Sequence, residues 1–251
     1  MKVFFQEIAA CAFTPKHADW LKRAKGYVEK YPVYCPFDTA YRFVQELWEK
    51  LADDDVVVCS DGAACVVPMQ VARIRGSQRL WCNSGCASMG YGLPAAIGAA
   101  IAREGGRVIC IEGDGSIQLN IQELQTIAAL GLNIKIFVID NGGYLSMRQT
   151  QQNFFGRLSG ADESSGVCTA SITKVSFALG VEANDYAPVI LERIFADDKP
   201  FLVRVLVDPD YGFNPKLASR KLPDGSLETP ALDDMWPFLD REELKQCRDV
   251  F

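Results

Sequence analysis

Between residues 56 and 207 the chain alternates short, continuously apolar runs with stretches whose apolar positions recur at helical spacing. Val56-Val57-Val58-Cys59 ends in Ser60-Asp61-Gly62 and leads into a helix-like stretch reaching Arg73. Residues 79–82 form a second short strand. Residues 89–102, almost wholly Gly, Ala, Ile and Leu, predict a helix buried on every side. A strand over 108–111, a helix over 117–130 and a strand over 133–139 come next. Helices around 169–179 and over 188–195 and a strand over 201–207 complete the block. Apolar strands alternating with helices predict an α/β fold, a doubly wound parallel sheet of about six strands with helices on both faces. Ligands of such sheets bind outside the carboxyl ends of the strands, where the glycine-rich loops of this chain fall.

Outside that block the pattern weakens. Residues 3–12 give a short apolar helix candidate and 18–30 a polar one, followed by Tyr31-Pro32 and Cys35-Pro36. Residues 1–37 therefore read as a linker or tail. Asp38 is a candidate cap for a helix carrying Val44, Leu47, Trp48 and Leu51 on one stripe. Residues 208–251 turn to Asp-Pro-Asp-Tyr-Gly, Pro223-Asp224-Gly225 and an acidic stretch with Met235-Trp236-Pro237-Phe238. The expected organisation is a main domain over 38–207 with a tail over 208–251 packed by a few aromatics.

Composition narrows the function classes. A chain of 251 residues is long enough to bury about 75 % of the surface it exposes unfolded. The net charge of −6, with no concentrated basic face, argues against a nucleic-acid partner. The longest apolar run is too broken by Gly and Pro to span a membrane, and no signal peptide is evident. The nine cysteines show no C-x₂-C spacing, so reduced thiols in a cytoplasmic protein are expected. His17, the sole histidine, reads as a surface residue.

The candidate chemistry sits at Glu112-Gly113-Asp114-Gly115-Ser116. A strand ends, two glycines flank an aspartate, and a helix follows with Ser116 as its candidate N-cap. Glycines let the backbone approach a ligand closely, and a helix start offers unpaired N–H groups suited to a diphosphate. Asp114 would repel those phosphates unless a divalent cation lay between them, and Mg²⁺ suits such an oxygen site. The next strand ends in Asp140-Asn141-Gly142-Gly143, and one β-α-β unit can bring Asn141 beside Asp114. Its amide oxygen, and a carbonyl of the Gly142-Gly143 turn, are further candidate ligands.

Gly113-Asp114-Gly115-Ser116 with Asn141 resembles the motif of thiamine-diphosphate enzymes: Gly-Asp-Gly, a spacer, then Asn-Asn. The stretch from Asn83 to Gly98 resembles the matching segment of acetolactate synthases and related 2-oxo-acid decarboxylases. The resemblance runs over about 38–207, and residues 1–37 look similar to the end of that family's middle domain. It implies thiamine diphosphate and Mg²⁺ as cofactors, with Asp114, Asn141 and the Gly143 carbonyl as metal ligands. Gly113, Gly115 and Ser116 would hold the diphosphate, and Tyr144 would flank it. Met89 matches the apolar wedge that bends the cofactor, and the Ala87 carbonyl matches the acceptor for its amino group. The implied activity is a transferase or lyase reaction on a 2-oxo acid, in an oligomer. The alternatives are a subunit of a split 2-oxo-acid decarboxylase and a non-catalytic module for another phosphorylated ligand.

Several positions depart from that family. Asp140 stands where the first asparagine is usual, Ala63-Ala64 replace polar residues, and Thr150 lies where acetohydroxyacid synthases commonly carry tryptophan. Arg148 and Tyr144 can meet a substrate carboxylate or serve as ordinary loop residues. Neither Glu112 nor Glu123 matches the glutamate that protonates the aminopyrimidine ring, which belongs to a separate pyrimidine-binding domain. A fragment, or one subunit working with such a domain, is therefore expected. FAD use stays open, because the domain that binds FAD in some members has no counterpart here.

Overall fold

A strand with β-branched or aliphatic residues at nearly every position has no polar face to turn to water. Each such run lies in one parallel sheet of the computed structural model, which describes residues 17–222 and 224–248. The helix expected over 3–12 lies outside the described residues. The strands are β1 (Val56–Cys59), β2 (Arg79–Cys82), β3 (Val108–Gly113), β4 (Ile134–Asp140), β5 (Glu182–Asp185) and β6 (Phe201–Leu206), in the spatial order β2-β1-β3-β4-β6-β5. Every pair is parallel, with Val58 opposite Cys110, Cys110 opposite Ile136 and Ile136 opposite Leu202. The chain leaves β1 for β2 on one side and returns to β3 on the other, which opens a crevice at their carboxyl ends.

Helices cover both faces, as the alternating pattern predicts. On one face Val58, Cys110, Ile136 and Leu202 pack against α4 (Gly92–Ala102), α5 (Glu123–Leu130) and α7 (Ile172–Ala178) through Leu93, Ala96, Leu124, Ile127 and Ile172. On the other, Phe137 of β4 lies 5.4 Å from Phe43 of α2 (Ala40–Lys50) and 6.4 Å from Phe195 of α8 (Pro188–Phe195). The same face carries α3 (Ala63–Val71), packed on α2. Each buried aliphatic or aromatic side chain adds roughly 1.5–3 kcal/mol, so the two layers account for the bulk of the fold's stability.

Three local expectations are corrected, and one helix is added. The cap of α2 is Thr39, whose Oγ1 accepts from Arg42 N at 3.4 Å; Asp38 instead takes a positive φ of 59° in the turn before it. The helix expected over 117–130 is two elements, a 3₁₀ turn at Ser116–Asn120 and α5, which Gly131 ends in a left-handed conformation. The helix α4 begins at Gly92 and buries only the face of Gly92, Leu93, Ala96 and Ala100, leaving Pro94, Gly98 and Ile101 exposed. A further helix, α6 (Leu145–Phe155), follows the Gly142-Gly143 turn.

By internal contacts the chain divides into Tyr34–Asn214, which holds the sheet, and a second unit formed by the segments up to Val33 and from Pro215 onward. The second unit contains α1 (Ala18–Lys30), a two-stranded hairpin of Arg220–Lys221 and Leu227–Glu228, and α9 (Arg241–Arg248). Lys30 Nζ and Tyr31 OH both donate to Glu243 Oε1, at 2.7 and 2.5 Å. His17 is exposed. Among the described residues, no helix is long and apolar enough to cross a membrane.

Candidate functional site

The strands β2, β1, β3 and β4 end side by side, and the loops that follow them enclose a cleft of about 250 Å³. Eight of the residues singled out from the sequence line it: Ala87, Met89, Gly113, Gly115, Ser116, Asn141, Gly143 and Tyr144. The ninth, Asp114, lies beneath that lining, 4 % exposed. Asp61, Ser146 and Met147 also line the cleft without having been nominated for it. Asp61 carried a legible signal, since Asp61-Gly62 closes β1 much as Gly113-Asp114 closes β3.

Asp114 ties the two glycine loops together. Its N–H donates to Ile139 O at 3.1 Å, and its Oδ2 accepts from Gly143 N at 2.7 Å. Burial, and next the neighbouring Asp140, push its pKa up to about 7; the N–H groups of Gly143 and Gly115 act in the opposite sense. Asn141 is 5 % exposed, and its buried Oδ1 accepts no hydrogen bond. Leaving such an acceptor unpaired costs roughly 1–3 kcal/mol. A divalent cation would relieve both penalties at once, by ionising the carboxyl and taking the amide oxygen as a ligand. Carboxylate, amide and carbonyl oxygens form the hard donor set that Mg²⁺ selects when ligand phosphates complete its shell. Among the described residues there is no cluster of three or more His, Cys, Asp or Glu arranged to hold a metal, so a cation here would need those neutral oxygens as well.

Three helical segments begin at the cleft: α3 after Gly62, the 3₁₀ turn after Gly115 and α6 after Tyr144. None is capped by the side chain of its N-cap residue. Their first N–H groups are therefore free to meet an anion, which the positive end of each segment favours. Gly115 has no room for a side chain, because a Cβ there would fall on the Tyr144 ring. Gly143 has a φ of 133°, and a Cβ would lie 2.5 Å from Ala161 O.

Ser116 does not act as the expected cap. Its first turn is 3₁₀, with Gly115 already helical, and the hydroxyl turns inward to Ser60 Oγ at 2.7 Å and Gly90 N at 3.0 Å. Asn120 Nδ2 donates to Gly90 O at 2.8 Å. Those bonds fix the turn that carries Ala87, at a φ of 48°, and Met89, which is 40 % exposed. Beneath the turn, the fully buried Glu112 accepts from Leu93 N at 3.1 Å, and burial foremost raises its pKa to about 7. Gly92 leaves space for that carboxyl, which a Cβ would strike.

Arg148 and Tyr144 part company. Tyr144 lines the cleft, whereas Arg148 is 5 % exposed and points its NH2 at Asn141 O (3.0 Å) and Pro209 O (2.6 Å). Arg148 therefore braces the Asn141 and Pro209 carbonyls, with Asp162 3.8 Å away, and is not placed to meet a substrate carboxylate.

Residues 61–205 match the family described as thiamine pyrophosphate enzyme, C-terminal TPP binding domain. The chain is 35 % identical over 177 residues to the acetolactate synthase large subunit of Parasynechococcus marenigrum (strain WH8102), covering 68 % of this chain and 28 % of that protein. It is 39 % identical over 139 residues to that of Cyanidium caldarium, covering 54 % and 24 %. A Rhodococcus jostii RHA1 thiamine diphosphate-dependent 4-hydroxybenzoylformate decarboxylase shares the fold, with a TM-score of 0.61 at 21 % identity over 71 % of this chain and 34 % of that one. The matches thus span about a quarter of the length of these acetolactate synthases. Most of the sheet and the whole cleft lining fall inside the matched segment, and the chain belongs to the thiamine-diphosphate enzymes, of which it carries the C-terminal, cofactor-binding domain.

Proposed function

We propose that this chain is the diphosphate- and Mg²⁺-binding part of a thiamine-diphosphate-dependent carboligase resembling acetolactate synthase and acting on 2-oxo acids. The observation that carries this reading is the buried Asp114 carboxyl and the unpartnered Asn141 Oδ1 at adjoining strand ends, at a cleft where three helical segments begin without side-chain caps. Asp114, Asn141 and the Gly143 carbonyl would hold Mg²⁺, and the backbone of Gly113, Gly115 and Ser116 the diphosphate. Met89 would wedge the cofactor, the Ala87 carbonyl would accept from its amino group, and the Tyr144 ring would close the side over Gly115. When bound, thiamine diphosphate supplies the carbanion chemistry of 2-oxo-acid decarboxylation. The chain's own residues bind it, orient it and shield it from water.

The acid that protonates the aminopyrimidine ring comes, in this reading, from a pyrimidine-binding domain or subunit, and the chain alone is inactive. The exposed side of α4 suits that partner: Ile101 is 58 % exposed, and nearby Trp81 of β2 is 52 % exposed. The small residues Gly98 and Ala102 there allow close approach. Such pairing leads to an oligomer, in a cytoplasmic setting that suits its reduced cysteines.

Titration of the chain with thiamine diphosphate, in Mg²⁺ and after chelation, tests the reading. Binding should require the metal and disappear in Asp114→Ala; equal binding with and without Mg²⁺ would overturn it. With a complementing pyrimidine-domain chain and pyruvate, acetolactate is the expected product. Acetaldehyde alone would sink the carboligase assignment in favour of a simple decarboxylase.

A further inference from the structure

The strand β4 ends in a second carboxyl, Asp140, directly before the unpartnered amide of Asn141. Asp114 Oδ2 accepts from Gly143 N at 2.7 Å, and the Asp140 carboxyl reaches the same turn. Its Oδ1 accepts from Gly142 N at 3.2 Å. The cation beside it, Arg204, stands 3.8 Å away and is already engaged by both oxygens of Asp185, at 2.7 and 3.0 Å. Two carboxyls thus meet consecutive N–H groups of one turn, whose Asn141 has a buried amide oxygen with nothing to accept.

Charge decides what such a site can hold. One carboxylate leaves a bound divalent cation with a net positive charge in a poorly solvated place, and the diphosphate must supply the balance. Two carboxylates neutralise the ion before any phosphate arrives. An unpaired amide oxygen alone would not point to a metal, since Asn133 Oδ1 is also buried without a partner. Asn141 differs because it lines the cleft and belongs to the turn that both carboxyls meet.

We propose that Asp140 makes this a divalent-cation site that fills without thiamine diphosphate, with Asp114 and Asn141 as ligands and Asp140 supplying the second negative charge. This rests on the metal site proposed above and adds an order of binding to it: cation first, diphosphate second. Asp140 acts here as a positioning residue for the ion and touches no substrate.

The test uses the whole chain and Mn²⁺ as probe, following free Mn²⁺ by electron paramagnetic resonance with no thiamine diphosphate present. One Mn²⁺ should bind per chain, Mg²⁺ should compete, and Asp114→Asn should abolish binding. Asp140→Asn keeps an acceptor for Gly142 N and removes only the charge, so it should weaken Mn²⁺ binding by about tenfold or more. Asp140→Ser serves the same purpose should the amide disturb the loop. With thiamine diphosphate added, wild type and Asp140→Asn should agree within about threefold, the diphosphate now supplying the charge. Mn²⁺ bound only in the presence of thiamine diphosphate, or equally well by Asp140→Asn, overturns this inference and leaves the proposed function standing. No Mn²⁺ bound under either condition overturns both.

Discussion

The two ends of the sheet bury charge in opposite ways. At the amino ends, Asp55 is 2 % exposed, and both its oxygens are taken: Arg107 donates at 2.9 and 2.6 Å and Ala52 N at 2.7 Å. The Arg107 guanidinium in turn sits 4.3 Å from the centre of the Phe195 ring. Nearby, the fully buried Lys135 donates to the carbonyls of Asp197 and Lys199. At the carboxyl ends, the neighbouring Asp140 opposes the ionisation of Asp114, and Asn141 leaves an oxygen unpaired. Buried charges matched within the chain hold the fold together, whereas groups left mismatched are held ready for something the chain does not supply.

Breaking the matched end should have the largest effect. Asp55→Ala leaves Arg107 largely buried without its carboxylate and should cost about 3–5 kcal/mol, read from the midpoint of urea unfolding. Asp114→Asn, in chelator, should cost less than about 1 kcal/mol or stabilise, because it removes a carboxyl that burial disfavours. Equal losses from the two substitutions would erase the contrast between the ends.

Lys135 sharpens the comparison through pH. Burial lowers its pKa from 10.5 to about 8, against the pull of Asp197 and Asp198. Between those values the unfolded chain binds the proton and the folded chain does not, so stability contributed at this site rises with pH across that window. The rise is at most about 3 kcal/mol. The measurement is the difference in unfolding free energy between wild type and Lys135→Met at pH 7.5 and at 10.5, which cancels the other titrating groups. Wild type should gain on the variant as pH rises, and a constant difference would mean that Lys135 is not held in a desolvated site.

These contrasts also mark what the sequence made legible. The strands β1, β3, β4 and β6 are apolar at nearly every position, Glu112, Lys135, Asp140 and Arg204 being the charged exceptions, and burial on both faces is the physical cause, so reading them needed no tertiary knowledge. Asp114 and Asn141 could be paired because one β-α-β unit separates two adjacent strand ends. The strand β5, Glu-Ala-Asn-Asp, has no apolar run because it lies at the sheet edge and pairs only with β6. The helix α6 buries only Leu145 and Arg148, too few to leave a stripe. The roles of Ser116 and Arg148 were illegible for a different reason: their partners Ser60 and Pro209 lie 56 and 61 residues away, and only the folded chain brings them together.

The smallest effect separates two glycines of the mismatched end. Gly115 has an ordinary φ of −78°, so its need for glycine comes only from the Tyr144 ring, where a Cβ would fall. Gly143 has a φ of 133° and faces the Ala161 carbonyl, so both backbone and space forbid a side chain. Gly115→Ala should therefore cost about 2 kcal/mol by crowding the ring. In a Tyr144→Ala background the same substitution should cost less than about 0.5 kcal/mol, a non-additivity that unfolding of the four chains of the cycle measures. Gly143→Ala should keep its full cost in that background, because a carbonyl of the main chain cannot move aside as a ring can. Should Tyr144→Ala fail to rescue Gly115→Ala, the ring is not what reserves Gly115, and the backbone itself, poised for a close ligand, becomes the reason for the glycine.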